Sequence, residues 1–107
     1  MTREVALTSR AVLDIDSNLA FLAEYSVELA RRWCDAADRA IADLENDPER
    51  YAIASERELN GIDLRQINFG IGRRLTHRMV FAIRSDRVVV YSVRGLTQRD
   101  LTIDDIV

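Results

Sequence analysis

The residues with the most suggestive spacing are arginines. From position 74 to 84 the sequence alternates strictly. Leu75, His77, Met79, Phe81 and Ile83 fall on one side, while Arg74, Arg78 and Arg84 fall on the other. On an extended strand Arg74 and Arg78 would stand about 13–14 Å apart, at ~3.4 Å per residue. A guanidinium offers two parallel charge-assisted hydrogen bonds and keeps its charge at any working pH, which suits phosphate and carboxylate alike. Such a row fits a nucleic-acid backbone or an acidic partner peptide, with Arg65, Arg73 and Arg94 as further contacts. The same side chains would also simply solvate the open face of a half-exposed sheet.

Other chemistry-bearing residues have plainer readings. His77 is the only histidine and the obvious proton carrier near neutral pH. Alternation nevertheless places it with Leu75, Met79 and Phe81, which favours a partly buried ring satisfied by a backbone partner. Glu56 and Glu58 lie in a stretch of mixed charge. A carboxylate there could reach over the sheet as a general base, or both could be solvated. Trp33 and Cys34 share an apolar helical stripe and read as packing. Tyr91 and Phe69 would stack nucleobases if exposed, but core placement is favoured for both. Gly70-Ile71-Gly72 reads as a bend, and there is no phosphate-cradling glycine loop or Ser-His-Asp set. With one cysteine and one histidine no zinc spacing exists, so neither a metal nor a cofactor is expected.

The elements that position these residues follow from a change of period along the chain. Arg3 to Thr8 alternates as an edge strand. Val12, Ile15, Leu19 and Leu22 then mark one face of a helix from about Arg10 to Tyr25. Ser26 can cap a second helix, with Glu28 at the positive end of its dipole. That helix carries Ala30, Trp33, Cys34, Ala37, Ile41 and Leu44 and stops near Asn46-Asp47-Pro48. So short a link makes an antiparallel hairpin. Glu49 to Gly61 has no sustained period and is expected to be a connector. Strands are expected at Leu64–Phe69, through the alternating run ending at Ile83, and at Val88–Val93, with a turn at Arg84–Arg87. Thr102 can cap a short final turn. The expectation is an α+β domain spanning residues 1–107, with an N-terminal strand, a helical hairpin and a three-stranded antiparallel meander in one sheet.

Length and composition agree with a single domain: 107 residues hold one core but not two. At 48% hydrophobic and 31% charged the chain is too apolar for intrinsic disorder. The single cysteine, the lack of a signal-peptide run and the lack of a membrane-length apolar stretch predict a reduced, cytoplasmic protein with no membrane partner. The net charge of −3 argues against nucleic acid at face value, but it averages two unlike halves. Residues 1–54 hold six arginines against eleven acids, and residues 57–99 hold nine against three. The strand half is basic, and its positive charge is entirely arginine.

Several strings in order resemble the RelE/ParE superfamily, the toxins of type II toxin–antitoxin systems, also described as plasmid-stabilisation proteins. They are Val5-Ala6-Leu7-Thr8-Ser9-Arg10-Ala11; the hairpin ending Asn46-Asp47-Pro48-Glu49; Arg73-Arg74-Leu75-Thr76-His77-Arg78-Met79-Val80-Phe81-Ala82-Ile83; Arg87-Val88-Val89-Val90-Tyr91-Ser92-Val93-Arg94; and Gln98-Arg99-Asp100-Leu101-Thr102. The resemblance implies a RelE-like sheet with two N-terminal helices, and a cognate antitoxin that wraps the toxin. It implies one of two activities: ribosome-dependent mRNA cleavage, in which the RNA 2′-OH attacks the adjacent phosphate, or inhibition of DNA gyrase. For the nuclease branch it implies Arg78 as the arginine that stabilises the phosphorane-like transition state. It implies Glu58 as the general base and Arg94 and Arg99 as further basic residues. Two features depart from that branch. Gly95-Leu96 stands where one subgroup carries a His-Tyr pair, and the chain has no lysine. The expected function is a toxin that cleaves mRNA on the ribosome. Gyrase inhibition, or partner binding by a non-toxic module of the same fold, is the alternative.

Overall fold

In the computed structural model, which describes residues 2–106, the chain runs β1 (Glu4–Leu7), α1 (Ser9–Tyr25), α2 (Val27–Leu44), a 3-10 turn (Pro48–Arg50), β2 (Ile53–Leu59), β3 (Ile62–Phe69), β4 (His77–Ile83), β5 (Arg87–Gly95) and α3 (Ile103–Ile106). All strands join one five-stranded sheet in the order β1-β5-β4-β3-β2. Strands β2 to β5 form an antiparallel meander, and β1 lies parallel to β5. The α+β class and the helical hairpin agree with expectation. The sheet has five strands rather than four, because β2 occupies most of the predicted connector Glu49–Gly61. Among the described residues no helix is long and apolar enough to cross a membrane.

The helices start where hydroxyls can take orphaned amides. Thr8 Oγ1 accepts from the Ala11 N–H at 3.1 Å and opens α1. Ser26 serves both helices: its N–H closes α1 on the Leu22 carbonyl, and its hydroxyl accepts from Leu29 N–H at 3.2 Å to open α2. Helix α2 ends at Leu44, and Asp47 in a left-handed conformation followed by Pro48 turns the chain toward the sheet.

Packing divides the apolar residues between two faces of the sheet. On one face α2 sets Trp33, Ala36, Ala37, Ala40 and Leu44 against Phe69, Met79, Phe81, Val88 and Val90. The alanines let the helix approach closely. Helix α1 is covered less. Only Ala11 is fully buried, Ile15, Leu19 and Leu22 are half-buried, and Val12, expected in the stripe, is exposed. On the other face Ala54, Leu64, Val80, Ala82 and Leu101 form a second core, flanked by Leu59, Ile62, Tyr91 and Ile106. Strand β4 is therefore buried on both sides from Arg78 to Ala82. The open, arginine-lined face expected from alternation does not exist, because Leu101 of the C-terminal segment and the side chains of Ala54 and Glu56 from β2 pack against it.

A bulge sets the phase of β5. Val80 pairs with Ser92 but Phe81 pairs with Val90, leaving Tyr91 as the extra residue. Val88, Val90 and Val93 consequently all face the helices. Arg94 is carried to the opposite face, in register with Arg78. Strand β1 reaches only to Val90, so beyond it the β5 edge is unpaired. Asp14 of α1 occupies that edge, accepting from Val93 N–H at 3.0 Å and Ser92 Oγ at 2.6 Å.

Candidate functional site

Arg78 and Arg94 are cross-strand partners, and both are buried, at 3% and 2% exposure. Two buried guanidiniums side by side demand compensation, and the two receive it unequally. Arg78 Nη1 donates to Glu56 Oε1 at 2.7 Å and to Gln66 Oε1 at 3.1 Å, and Nη2 donates to Glu56 Oε2 at 2.6 Å. Asp100 Oδ1 lies 3.5 Å from Nη2. Glu56 also accepts from the Leu101 N–H at 2.8 Å, which ties the C-terminal segment to the pair. Burial alone would raise the Glu56 carboxyl. The hydrogen bonds from Arg78, from the Leu101 amide and from its own amide outweigh burial and hold it at about 2.

Arg94 is held without a carboxylate. Its Nε donates to the Arg99 carbonyl at 3.0 Å and its Nη1 to Ser92 Oγ at 3.4 Å, at the long end for a hydrogen bond. No ion pair among the described residues includes it. Burial, and then the nearby Arg99 cation, lower its guanidinium from the ordinary value.

The segment above both arginines is fastened at Asp105. Arg99 Nη1 and Nη2 reach its carboxylate at 2.9 and 3.3 Å, and Arg10 Nη2 lies 3.6 Å from it. Its Oδ2 also accepts from Thr102 N–H at 2.8 Å and Thr102 Oγ1 at 3.2 Å. Thr102 thus does open the last helical turn, but through the reciprocal half of a capping box, in which the acid reaches back to the cap amide. The Arg99 and Thr102 bonds hold Asp105 well below the ordinary carboxylate range.

The other expected site residues are dispersed. Glu58 is exposed and accepts from Gly61 N–H at 3.1 Å, capping the β2–β3 hairpin. It pairs with Asp63, whereas Arg78 pairs with Asn68. Five residues of β3 separate those positions, about 17 Å at ~3.4 Å per residue, so Glu58 is not the carboxylate beside Arg78; Glu56 is. Arg65 is half-buried and staples the 3-10 turn to β3 through the carbonyls of Glu49 and Tyr51, at 3.1 and 2.7 Å. Arg73 and Arg74 are exposed in the loop before β4, and Arg84 is exposed in the turn after it. Arg74, Arg78 and Arg84 therefore share no surface, since two lie outside the strand and the third is buried. Arg99 is exposed and engaged by Asp105.

His77 is half-buried, as expected, but its partner is a side chain rather than backbone. The Trp33 Nε1–H donates to His77 Nδ1 at 3.3 Å, and Thr76 Oγ1 lies 2.8 Å from the same nitrogen. An indole N–H only donates, which places the neutral ring's proton on Nε2. Burial lowers the imidazole from its ordinary value. Cys34 is half-buried, and burial followed by Asp38 and Asp35 raises its thiol, so it is a packing residue and a poor nucleophile. Among the described residues no three His, Cys, Asp or Glu side chains cluster as a metal site.

The arrangement offers anion chemistry. Arg78 is neutralised by Glu56, Arg94 is not neutralised by contact, and both sit under one short segment. No protein-family model matches the chain, and no curated protein matches it.

Proposed function

We propose that the chain is the toxin of a type II toxin–antitoxin pair, of the RelE/ParE superfamily that its strings resemble, and that it cleaves mRNA on the ribosome. The observation that carries this is Arg94: a buried guanidinium with no carboxylate against it, in register with Arg78. A buried cation with no carboxylate in contact favours an arriving anion, and two adjacent guanidiniums suit a phosphate whose charge grows as the RNA 2′-oxygen bonds to phosphorus and the 5′-oxygen departs. Glu56 takes the place expected for Glu58 beside Arg78. Phosphate reaches the pair only if the Arg99–Ile106 segment lifts, since Leu101 is buried and the Arg99 carbonyl holds Arg94. In this reading a cognate antitoxin holds the protein inactive in the cytoplasm.

A second reading, gyrase inhibition, draws support from Glu56. Both of its oxygens are already occupied, by Arg78, the Leu101 amide and, at 3.4 Å, the Ser55 hydroxyl, and a carboxylate at about 2 is a weak base. Inducible expression of wild type and Arg94→Met, with mRNA integrity and plasmid supercoiling followed in the same cultures, separates the readings. Growth arrest with fragmented mRNA, relieved in a folded Arg94→Met protein, is the expected result. Arrest with intact mRNA and relaxed plasmid would establish the second reading. No arrest by wild type would remove the toxin proposal.

A further inference from the structure

A pocket of about 240 Å³ opens on the helix face of the sheet, opposite the arginine pair, where α1 passes the ends of β4 and β5. Asp14, Ser17, Asn18, Phe21, His77 and Gln98 line it. Part of their hydrogen-bonding capacity is unspent. His77 uses Nδ1 for Trp33 and Thr76, which leaves Nε2–H as a donor. Gln98 uses Oε1 for the Gly95 amide at 3.2 Å, which leaves its NH2. Asp14 spends Oδ2 on Ser92 and Val93, which leaves Oδ1 as an acceptor. Asn18 Nδ2 is the one buried side-chain polar atom without a partner among the described residues. Phe21 contributes a half-exposed aromatic ring.

These groups select a ligand by exclusion. The lining holds no lysine or arginine, so phosphate and carboxylate have nothing to pair with, and its single carboxylate is too little for a metal ion. The volume is below the about 300–1,000 Å³ of pockets for drug-sized molecules, which leaves room for one ring system. A flat, uncharged ring with donors and acceptors side by side along its edge uses the Gln98, His77 and Asp14 groups together and offers Phe21 a π-face, while Asn18 Nδ2, itself shielded from solvent in the pocket wall, joins them only if its amide turns outward.

We propose that this pocket binds a single nucleobase, presented either as a free nucleoside or as an unstacked base of single-stranded RNA. The pocket lies on the face of the sheet opposite the arginine side chains and touches them only through Ser92 Oγ, which bridges Asp14 and Arg94, so binding here is tested apart from the toxin reading.

The test is a ¹H–¹⁵N titration of the full chain with adenosine, guanosine, cytidine and uridine separately, and with a short mixed-sequence single-stranded RNA. The side-chain NH2 groups of Asn18 and Gln98 and the Trp33 indole N–H are the reporters. The informative variant is Gly95→Leu. Gly95 lines the pocket, and a Cβ added there meets nothing within 4 Å, so the substitution begins without a backbone clash, the longer side chain takes up pocket space, and unchanged amide resonances of β3 and α2 check that the fold is kept. Saturable shifts at these reporters with at least one nucleoside, weakened roughly tenfold or more in Gly95→Leu, support the proposal with the nucleoside as source. The same shifts with RNA alone, lost in Gly95→Leu, support it with the RNA chain as source. No shift with any probe, or shifts that Gly95→Leu leaves unchanged, overturns it.

Discussion

Arg78 on β4 and Glu56 on β2 meet across β3 as a fork-to-fork pair, Nη1 to Oε1 at 2.7 Å and Nη2 to Oε2 at 2.6 Å, with neither side chain more than 4% exposed. Removing one partner of such a pair strands a buried charge, at a cost of about 3–5 kcal/mol, whereas replacing both by apolar residues of similar size comes closer to neutral. Glu56→Gln is therefore expected to destabilise the fold by about 3 kcal/mol or more. Glu56→Met with Arg78→Met together should cost less than the two singles added. Urea denaturation of the four proteins measures both quantities, and additive singles would show that the pair is not coupled.

Acid should weaken the fold over two successive pH ranges. His77 has a folded value below its ordinary 6.5, so its contribution is complete above about pH 6.5 and declines as pH falls below that. Glu56 is lowered from 4.5 to about 2, so its contribution is complete above about pH 4.5 and is lost between there and pH 2, for a total of about 3 kcal/mol. The Trp33 indole N–H resonance should move in the first range, because protonated Nδ1 can no longer accept from it. An indole signal that titrates at or above pH 6.5 would contradict a buried, neutral His77.

Two glycines are required for different reasons, and alanine separates them. Gly61 has φ of +77° with open space around a would-be Cβ, so Gly61→Ala carries only the left-handed backbone penalty, about 1 kcal/mol. At Gly70 a Cβ would fall 2.0 Å from the Arg74 carbonyl oxygen, which is backbone and has little room to yield. Gly70→Ala should reach the upper part of the about 1–3 kcal/mol range for overpacking. Thermal melts that rank the two in the reverse order would disprove this account.

The helical half was legible because its signals are local: Thr8 and Ser26 as caps, the α2 stripe, and the stop at Asp47-Pro48. Strand β2 was missed although Asn60-Gly61 announces it. That dipeptide favours the two-residue turn with both residues at positive φ, and they stand at 53° and 77°. The mixed charge of Ser55 to Glu58 hid the strand, since Glu56 is polar in sequence and buried only by its pairing with Arg78. Arg94 was expected as a basic residue, but its face was not readable. The bulge at Tyr91 shifts the alternation by one, and nothing in Val88–Val93 marks where the extra residue falls. Burial of Arg78 depends on Leu101, twenty-three positions further along. Such a long-range contact leaves no periodic trace.

Asp105 fastens the segment over the arginine pair, and its removal should free that segment without disturbing the sheet. Asp105→Asn keeps the shape but deletes the charge that Arg99 and Arg10 approach, and an amide oxygen accepts more weakly from Thr102 than a carboxylate does. The second core loses little by this, since Ala54, Leu64, Val80 and Ala82 come from strands and only Leu101 and Ile106 from the segment. Native-state hydrogen exchange is the direct readout, because the Leu101 amide is protected by Glu56 only while the segment is closed. Exchange at Leu101 is expected to accelerate by roughly tenfold, equivalent to about 1.4 kcal/mol of local opening, while the amides of β4 keep their wild-type rates. Equal acceleration in β4 would mean that Asp105 supports the whole fold, and no acceleration at Leu101 would mean that the segment is held by its apolar contacts alone.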